Sequence, residues 1–132
     1  MQDRLKFRVW HKKRKKMYEV LHLHTATWSN GGDWVTAKGF NIITQQDMHI
    51  QIEPKDGIIM QCTGLKDKKG QLIYEGDIVQ FKISGNLTKA VVSYDNDYGE
   101  YSKGNFASLG SYQNSTEVIG NIYENEDLLN AT

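Results

Sequence analysis

The residues of this sequence with the clearest binding chemistry form a run of five consecutive cations. They are Lys12, Lys13, Arg14, Lys15 and Lys16. Five adjacent positive charges on a turn can neutralise several phosphates and release their counterions, a large source of affinity for nucleic acids. Arg8 and Trp10 extend the predicted contact surface, Trp10 by stacking on an unpaired base. The run therefore predicts contact with nucleic acid or with another partner.

A solvated turn is the alternative interpretation of this run, because lysines at the end of a hairpin also keep strands from pairing edge to edge. The formal net charge of the chain is zero. Residues 1–24 carry eight Lys or Arg against two acidic residues, a net charge of +6, and the remainder carries eight against fourteen, a net charge of −6. This distribution predicts a local positive surface with weak long-range attraction to polyanions.

Histidines provide the next candidate chemistry. His22 and His24 would share one face of a strand, where side chains two residues apart can bind the same metal ion. His11, His49 and Cys62 are the further ligands that the sequence offers. No Cys-x-x-Cys or His-Glu-x-x-His spacing accompanies them, so we predict neither a metal nor another cofactor.

Two arrangements have the residue types for catalysis, and both have a structural explanation. Cys62 in "MQCTG" has no identifiable base beside it and fits a buried position in an apolar strand. Glu75 and Asp77 could form a carboxylate pair, but they flank Gly76 at a turn, where Asp commonly accepts hydrogen bonds from nearby backbone N–H groups. The sequence therefore predicts a protein that is not an enzyme, and no catalytic residue is assigned.

Two strands are the elements that must position the basic run. In "LKFRVW", Leu5, Phe7 and Val9 alternate with Lys6, Arg8 and Trp10, as side chains on opposite faces of a strand do. The segment "MYEVLHLH" resumes the alternation after the charged residues. A β-hairpin with a basic turn at its tip is the prediction.

Short segments of β pattern continue along the rest of the chain. They are "IIMQCT", "QLIYEGD", "IVQFKI", "KAVVSYD" and "EVIGNIY", separated by Gly, Asn and Asp turns. Asp67 to Gly70 has the composition of a tight turn that makes "TGLKD" and "QLIYEGD" pair. Residues 44–47 are predicted as a short helix or loop before a strand, residues 95–116 as irregular, and "NEDLLN" as at most one helical turn. The fold class is mainly β, a small barrel or sandwich with little helix.

The length of 132 residues suits one compact domain. If residues 1–132 divide, we expect an N-terminal hairpin lobe over 1–57 and a barrel portion over 58–132. Cys62 is the single cysteine, so no internal disulfide can form, and no apolar run approaches the length of a transmembrane helix. A reducing cytoplasm, with no membrane partner, is the predicted location.

Three segments of the chain resemble the YopX family of small proteins encoded by phages and prophages of Gram-positive bacteria. They are "KFRVW" with "KKMYEV", "IMQCTGLKDKKGQLIYEGDIV" and "VIGNIYENEDLL". The resemblance spans almost the whole chain and implies a β-rich fold, with an SH3-like barrel beginning near "YEGDIV". It implies a phage context in a bacterial host cell, without an activity or a set of ligand residues.

The function that these observations predict is a non-enzymatic binding module for nucleic acid or for a nucleic-acid-processing protein. The alternative is a protein-interaction or self-assembly module, in which an exposed strand edge or the acidic C-terminal end binds a phage or host protein. Homo-oligomerisation fits this alternative, although the sequence does not specify an oligomeric state.

Overall fold

The computed structural model describes residues 5–24, 34–41, 45–96, 99–103, 107–109 and 115–130. The chain divides into two compact units, one of Lys6–Met60 and one of Gln61–Thr132 with Met1–Leu5. The N-terminal unit contains β1 (Phe7–His11), β2 (Lys16–His24), β3 (Trp34–Asn41), β4 (Gln46–Ile52), a 3₁₀ turn (Pro54–Asp56) and the start of β5 (Gly57–Lys66). Its strands are antiparallel in the order β4-β3-β2-β1, followed by β5.

The predicted hairpin is present, and its turn connects β1 to β2. Arg8 lies opposite Glu19 and His11 lies opposite Lys16 in the antiparallel register. Strand β3 was not predicted, although Val35 and Ala37 alternate with Thr36 and Lys38 along it. It nevertheless pairs with β2 on one side and with β4 on the other.

The core of the N-terminal unit is small and apolar. Its buried members are Val9, Val35, Ala37 and Ile52. They come from β1, β3 and β4, so burial of these side chains from water is what holds the sheet and its hairpin in one arrangement.

Gly57 lies where a side chain would collide with this core. A Cβ atom added to Gly57 would lie 2.9 Å from Cγ2 of Val9 and 2.9 Å from Cγ2 of Ile52. Because β-branched side chains have few alternative rotamers, these methyl groups can yield little. We expect Gly57→Ala to lower the free energy of unfolding by about 1 to 3 kcal/mol, measured by urea denaturation. An unchanged urea midpoint would contradict this close packing.

The C-terminal unit contains the second sheet and the rest of β5. Its further elements are β6 (Leu72–Tyr74), β7 (Asp77–Ile83), β8 (Asn86–Asp95), β9 (Glu100–Lys103), β10 (Ala107–Ser108), β11 (Glu117–Asn121) and the helical turn α1 (Asp127–Asn130). Strand β6 pairs with β5, and the remaining strands form an antiparallel sheet in the order β10-β9-β8-β7-β11. The buried core of this unit consists of Ile73, Val79, Phe81, Ala90, Val92 and Leu109.

The predicted fold class is confirmed as mainly β with little helix. The described strands form two antiparallel sheets and no closed barrel, so the SH3-like barrel is not confirmed. A short helix or loop was predicted over residues 44–47. Gln45 is a turn residue with φ of 56°, in agreement with a loop, whereas Gln46 and Asp47 already belong to β4, so the prediction is wrong for these two residues. Strands β9 and β10 lie in the stretch predicted as irregular.

No described helix has the length and apolar character needed to span a membrane.

Candidate nucleic-acid interface

The basic turn is the connection Lys12–Lys15 together with Lys16, the first residue of β2. The backbone N–H of Lys15 donates to the carbonyl oxygen of His11 at 2.8 Å, which closes the turn. Lys15 itself has a φ of 54°, in the left-handed region that few residues other than glycine adopt. All five cationic side chains are exposed.

Hydrogen bonds to the 3₁₀ turn hold the basic turn in place. The backbone N–H of Lys12 donates to the carbonyl oxygen of Asp56 at 2.8 Å, and the Lys12 Nζ donates to the carbonyl oxygen of Lys55 at 3.2 Å. Within the turn, the backbone N–H of Arg14 donates to Nδ1 of His11 at 3.2 Å. His11 is 9% exposed. The buried imidazole therefore acts as the acceptor that fixes the backbone beneath Arg14.

Few negative charges offset the cations of the basic turn. Asp56 Oδ1 lies 3.6 Å from Nζ of Lys13, and that lysine side chain stays 72% exposed. Lys55 adds a sixth cation nearby and has its own ion pair with Glu53 at 3.5 Å. Exposed pairs of this kind are weak. A net positive charge remains on the turn and is available to an anionic partner.

Arg8 and Trp10 were predicted to extend the exposed contact surface, and both are less exposed than this prediction requires. Arg8 is half-buried and has Glu19 directly opposite it in β2. Trp10 is 9% exposed, although strand alternation predicted that it would share the exposed face with Arg8. The correction has a physical reason: Val9, Trp10 and His11 are all buried, so both faces of β1 are covered at its end. At 9% exposure Trp10 has little surface on which an unpaired base could stack, and we leave it out of the contact surface.

A second basic turn, at Lys66 to Gly70, has its charge compensated. Glu117 lies 2.8 Å from Nζ of Lys69 and 3.3 Å from Nζ of Lys68. The hydrogen bond with Glu117 raises the pKa of Lys69, and the bonds from Lys69 and then Lys68 lower the pKa of Glu117. Buried Asp67 adds another negative charge within the same turn. This turn is therefore the weaker candidate for binding an anion.

The acidic residues of the central motif have structural roles. Asp77 is buried, and its Oδ2 accepts a hydrogen bond from the Tyr74 N–H at 2.8 Å. Glu75 Oε1 accepts from the Gln61 N–H at 2.8 Å, which attaches the turn after β6 to β5. These contacts match the explanation of Glu75 and Asp77 as turn residues that hold the backbone.

The remaining sequence candidates do not assemble into a site in the described part of the chain. Cys62 is buried in β5, as its apolar surroundings predicted. No group of three or more His, Cys, Asp or Glu side chains with metal-binding geometry occurs among the described residues. His22 lies opposite Thr36 in the sheet.

Lys103 is the buried ionisable residue that sequence reasoning missed. It is fully buried at the end of β9, and its Nζ donates to Oγ1 of Thr116 at 2.6 Å. The same ammonium lies 4.5 Å from the centre of the Phe81 ring, a cation–π contact. Desolvation lowers the pKa of Lys103 to about 8. No local signal could have found it, because Phe81 and Thr116 are remote in sequence.

The fold defines a class of β proteins built from two compact units with antiparallel sheets. The family described as YopX protein matches residues 6–130, and the chain belongs to this family. No curated protein sequence matches it significantly.

Two crystal structures are among those similar to this chain in fold. One is protein EF1440 from Enterococcus faecalis, with a TM-score of 0.64 and 28% identity, covering 94% of this chain and 96% of that one. The other is protein yopX from Bacillus subtilis, with a TM-score of 0.53 and 18% identity, covering 95% of this chain and 98% of that one.

Proposed function

We propose that this protein is a non-enzymatic binding module whose basic turn contacts the phosphate backbone of nucleic acid. The observation that carries the proposal is five adjacent exposed cations on a turn that hydrogen bonds hold in place. The host cell cytoplasm, in a phage or prophage context, is the proposed setting. A partner protein that processes nucleic acid could also recruit this module to DNA or RNA, where the basic turn would contact the phosphates.

The fixed backbone favours binding by the turn. A flexible lysine run loses backbone freedom when it binds, whereas the bonds of Lys12 to Asp56 and of Arg14 to His11 have already fixed this one. The five side chains remain exposed and can each approach a phosphate. Because the contacts would be with phosphates, binding should be strongly salt-dependent and weakly sequence-dependent.

The proposal can be tested with two matched triple variants. Lys13, Arg14 and Lys15 change to Gln in the first, and Lys66, Lys68 and Lys69 change to Gln in the second. Both variants lose three positive charges, so any effect of net charge alone is equal. We expect the first to lower the affinity for labelled double-stranded DNA by about tenfold or more at low salt, and the second to change it much less because Glu117 already compensates that turn.

Fluorescence anisotropy with single- and double-stranded DNA and RNA gives the affinities, and thermal unfolding of each variant checks that the fold is intact. Equal losses of affinity in the two folded variants would indicate a non-specific charge effect and would contradict a role for the basic turn. Absence of binding to all four polymers at low salt would end the nucleic-acid proposal.

A further inference from the structure

The outer edge of β4 differs from every other sheet edge in the described part of the chain. The sheet orders leave four edge strands, β4, β6, β10 and β11. Strand β6 has three residues and β10 has two, and the register of β11 shifts between Val118 and Gly120. Short strands and bulges of this kind prevent pairing with other molecules. These three edges are therefore protected.

Strand β4 has none of these protections. It pairs with β3 without a register shift from Val35 opposite Ile52 to Asn41 opposite Gln46. Its seven residues, Gln46 to Ile52, contain no Lys, Arg or Pro, the residues that commonly block an edge. No described strand pairs with its outer side. An edge of this length and regularity is a template for an added strand.

The sequence of β4 is complementary to itself in the antiparallel direction. A two-fold axis at His49 aligns the whole strand and places Met48 opposite Ile50 of the second copy. The same register places Asp47, the one charged carboxylate, opposite Gln51, and Gln46 opposite Ile52. Apolar residues therefore face apolar residues in the centre of the ladder, and no two carboxylates face each other.

The exposure of the strand agrees with this pairing. Ile52 is buried in the core of the N-terminal unit and Ile50 packs against it, whereas Met48, on the same face, is 41% exposed. Alternation places Met48, Ile50 and Ile52 on one side of the sheet. Pairing through His49 would join the apolar faces of two copies and cover Met48 of each with Ile50 of the other.

We propose that this protein forms a homodimer in which β4 pairs antiparallel with β4 of a second copy, with His49 on the two-fold axis. The sheet of the N-terminal unit then continues from one copy into the other. The proposal does not depend on nucleic-acid binding, because it uses neither the basic turn nor any of its charges.

Charge substitutions at His49 test both the interface and its register. Only in the proposed register does residue 49 face itself, so His49→Lys and His49→Glu should each place like charges in contact. We expect each variant alone to dimerise about tenfold more weakly than the wild-type protein, and an equal mixture of the two to regain the affinity through Lys–Glu pairs. Sedimentation velocity over a concentration series measures these affinities. Leu87→Lys, at a 59% exposed position of β8, is the control that should leave dimerisation unchanged.

Three results would overturn the proposal. One is a wild-type protein that stays monomeric over the whole concentration range. Another is unchanged dimerisation of both folded His49 variants, which would place the interface elsewhere. The third is failure of the mixture to recover affinity, which would exclude a register with residue 49 facing itself.

Discussion

Replacing Asp67 with alanine is expected to lower the free energy of unfolding by about 3 kcal/mol. Asp67 is 6% exposed, and its two side-chain oxygens accept three backbone hydrogen bonds. Oδ1 accepts from the N–H groups of Lys69 and Gln71 at 2.9 Å, and Oδ2 accepts from the N–H of Val118 at 3.0 Å. Asp67 thus joins its own turn to β11, 51 residues later in the chain. Alanine would leave three backbone donors without this acceptor.

The stabilisation that Asp67 provides should depend on pH, and the shift of its pKa gives the sign. Burial alone raises the pKa of this carboxyl, but the hydrogen bonds from Val118, Gln71 and Lys69 outweigh it, so its pKa is lowered below the usual 3.8. The folded state therefore binds this proton less readily than the unfolded state. The stabilisation is complete above the unfolded pKa and is lost as the pH falls through the lower pKa of the folded state.

Urea denaturation of wild type, Asp67→Ala and Asp67→Asn measures the effect at neutral and acidic pH. Asn keeps one acceptor oxygen and should have intermediate stability at neutral pH. The difference between wild type and Asp67→Ala should shrink as the solution is acidified. If Asp67→Ala had the same free energy of unfolding as wild type at neutral pH, the stabilising role of this carboxylate would be contradicted.

Stability of the wild-type protein should gain up to about 3 kcal/mol from Lys103 as the pH rises from about 8 to about 10.5. The pKa of buried Lys103 is lowered to about 8, against 10.5 for an ordinary lysine. Between these values the unfolded chain holds the proton and the folded chain does not, so the free energy of unfolding increases with pH. Below the pKa of the folded state, Lys103 is charged in the folded and in the unfolded chain. The folded protein then bears the full cost of desolvating this ammonium.

Two substitutions at Lys103 separate its contribution from that of other titrating groups. Lys103→Met has no charge to desolvate, so we expect it to be about 1 to 2 kcal/mol more stable than wild type near pH 7 and to lack the alkaline gain. Lys103→Arg stays charged throughout, so it should be less stable and should also lack the gain. The measurement is the difference in unfolding free energy from wild type at each pH. A constant difference for Lys103→Met from pH 7 to 10.5 would contradict a lowered pKa.

Patterns local in sequence predicted the elements that they determine. Alternating residues and a charged turn predicted the β1–β2 hairpin, and Asp67 to Gly70 predicted the turn into β6. Strand β3 was missed because the alternation of Val35 and Ala37 with Thr36 and Lys38 is too short to predict a strand without its pairing to β2 and β4. Strands β9 and β10 were missed because they have only four and two residues and lie in the Gly-, Ser- and Asn-rich stretch 95–116.

The candidate surface was predictable only in part. A run of cations on a hairpin tip is exposed almost by necessity, so the location of the basic turn followed from the sequence. The burial of Trp10 did not follow, because alternation assumes that only one face of β1 is covered. The compensation of the second turn by Glu117 also required the folded structure, since that residue is almost 50 positions away.

The salt dependence of DNA binding tests the role of the basic turn most directly. If all five cations contact phosphates, the affinity should fall by about 500-fold between about 50 and about 200 mM salt, because each contact adds about 0.9 to the logarithmic slope. The variant without the charges of Lys13, Arg14 and Lys15 would keep two contacts and should lose only about 12-fold over the same range. An equal salt slope for this variant and the wild-type protein would contradict phosphate binding by the basic turn.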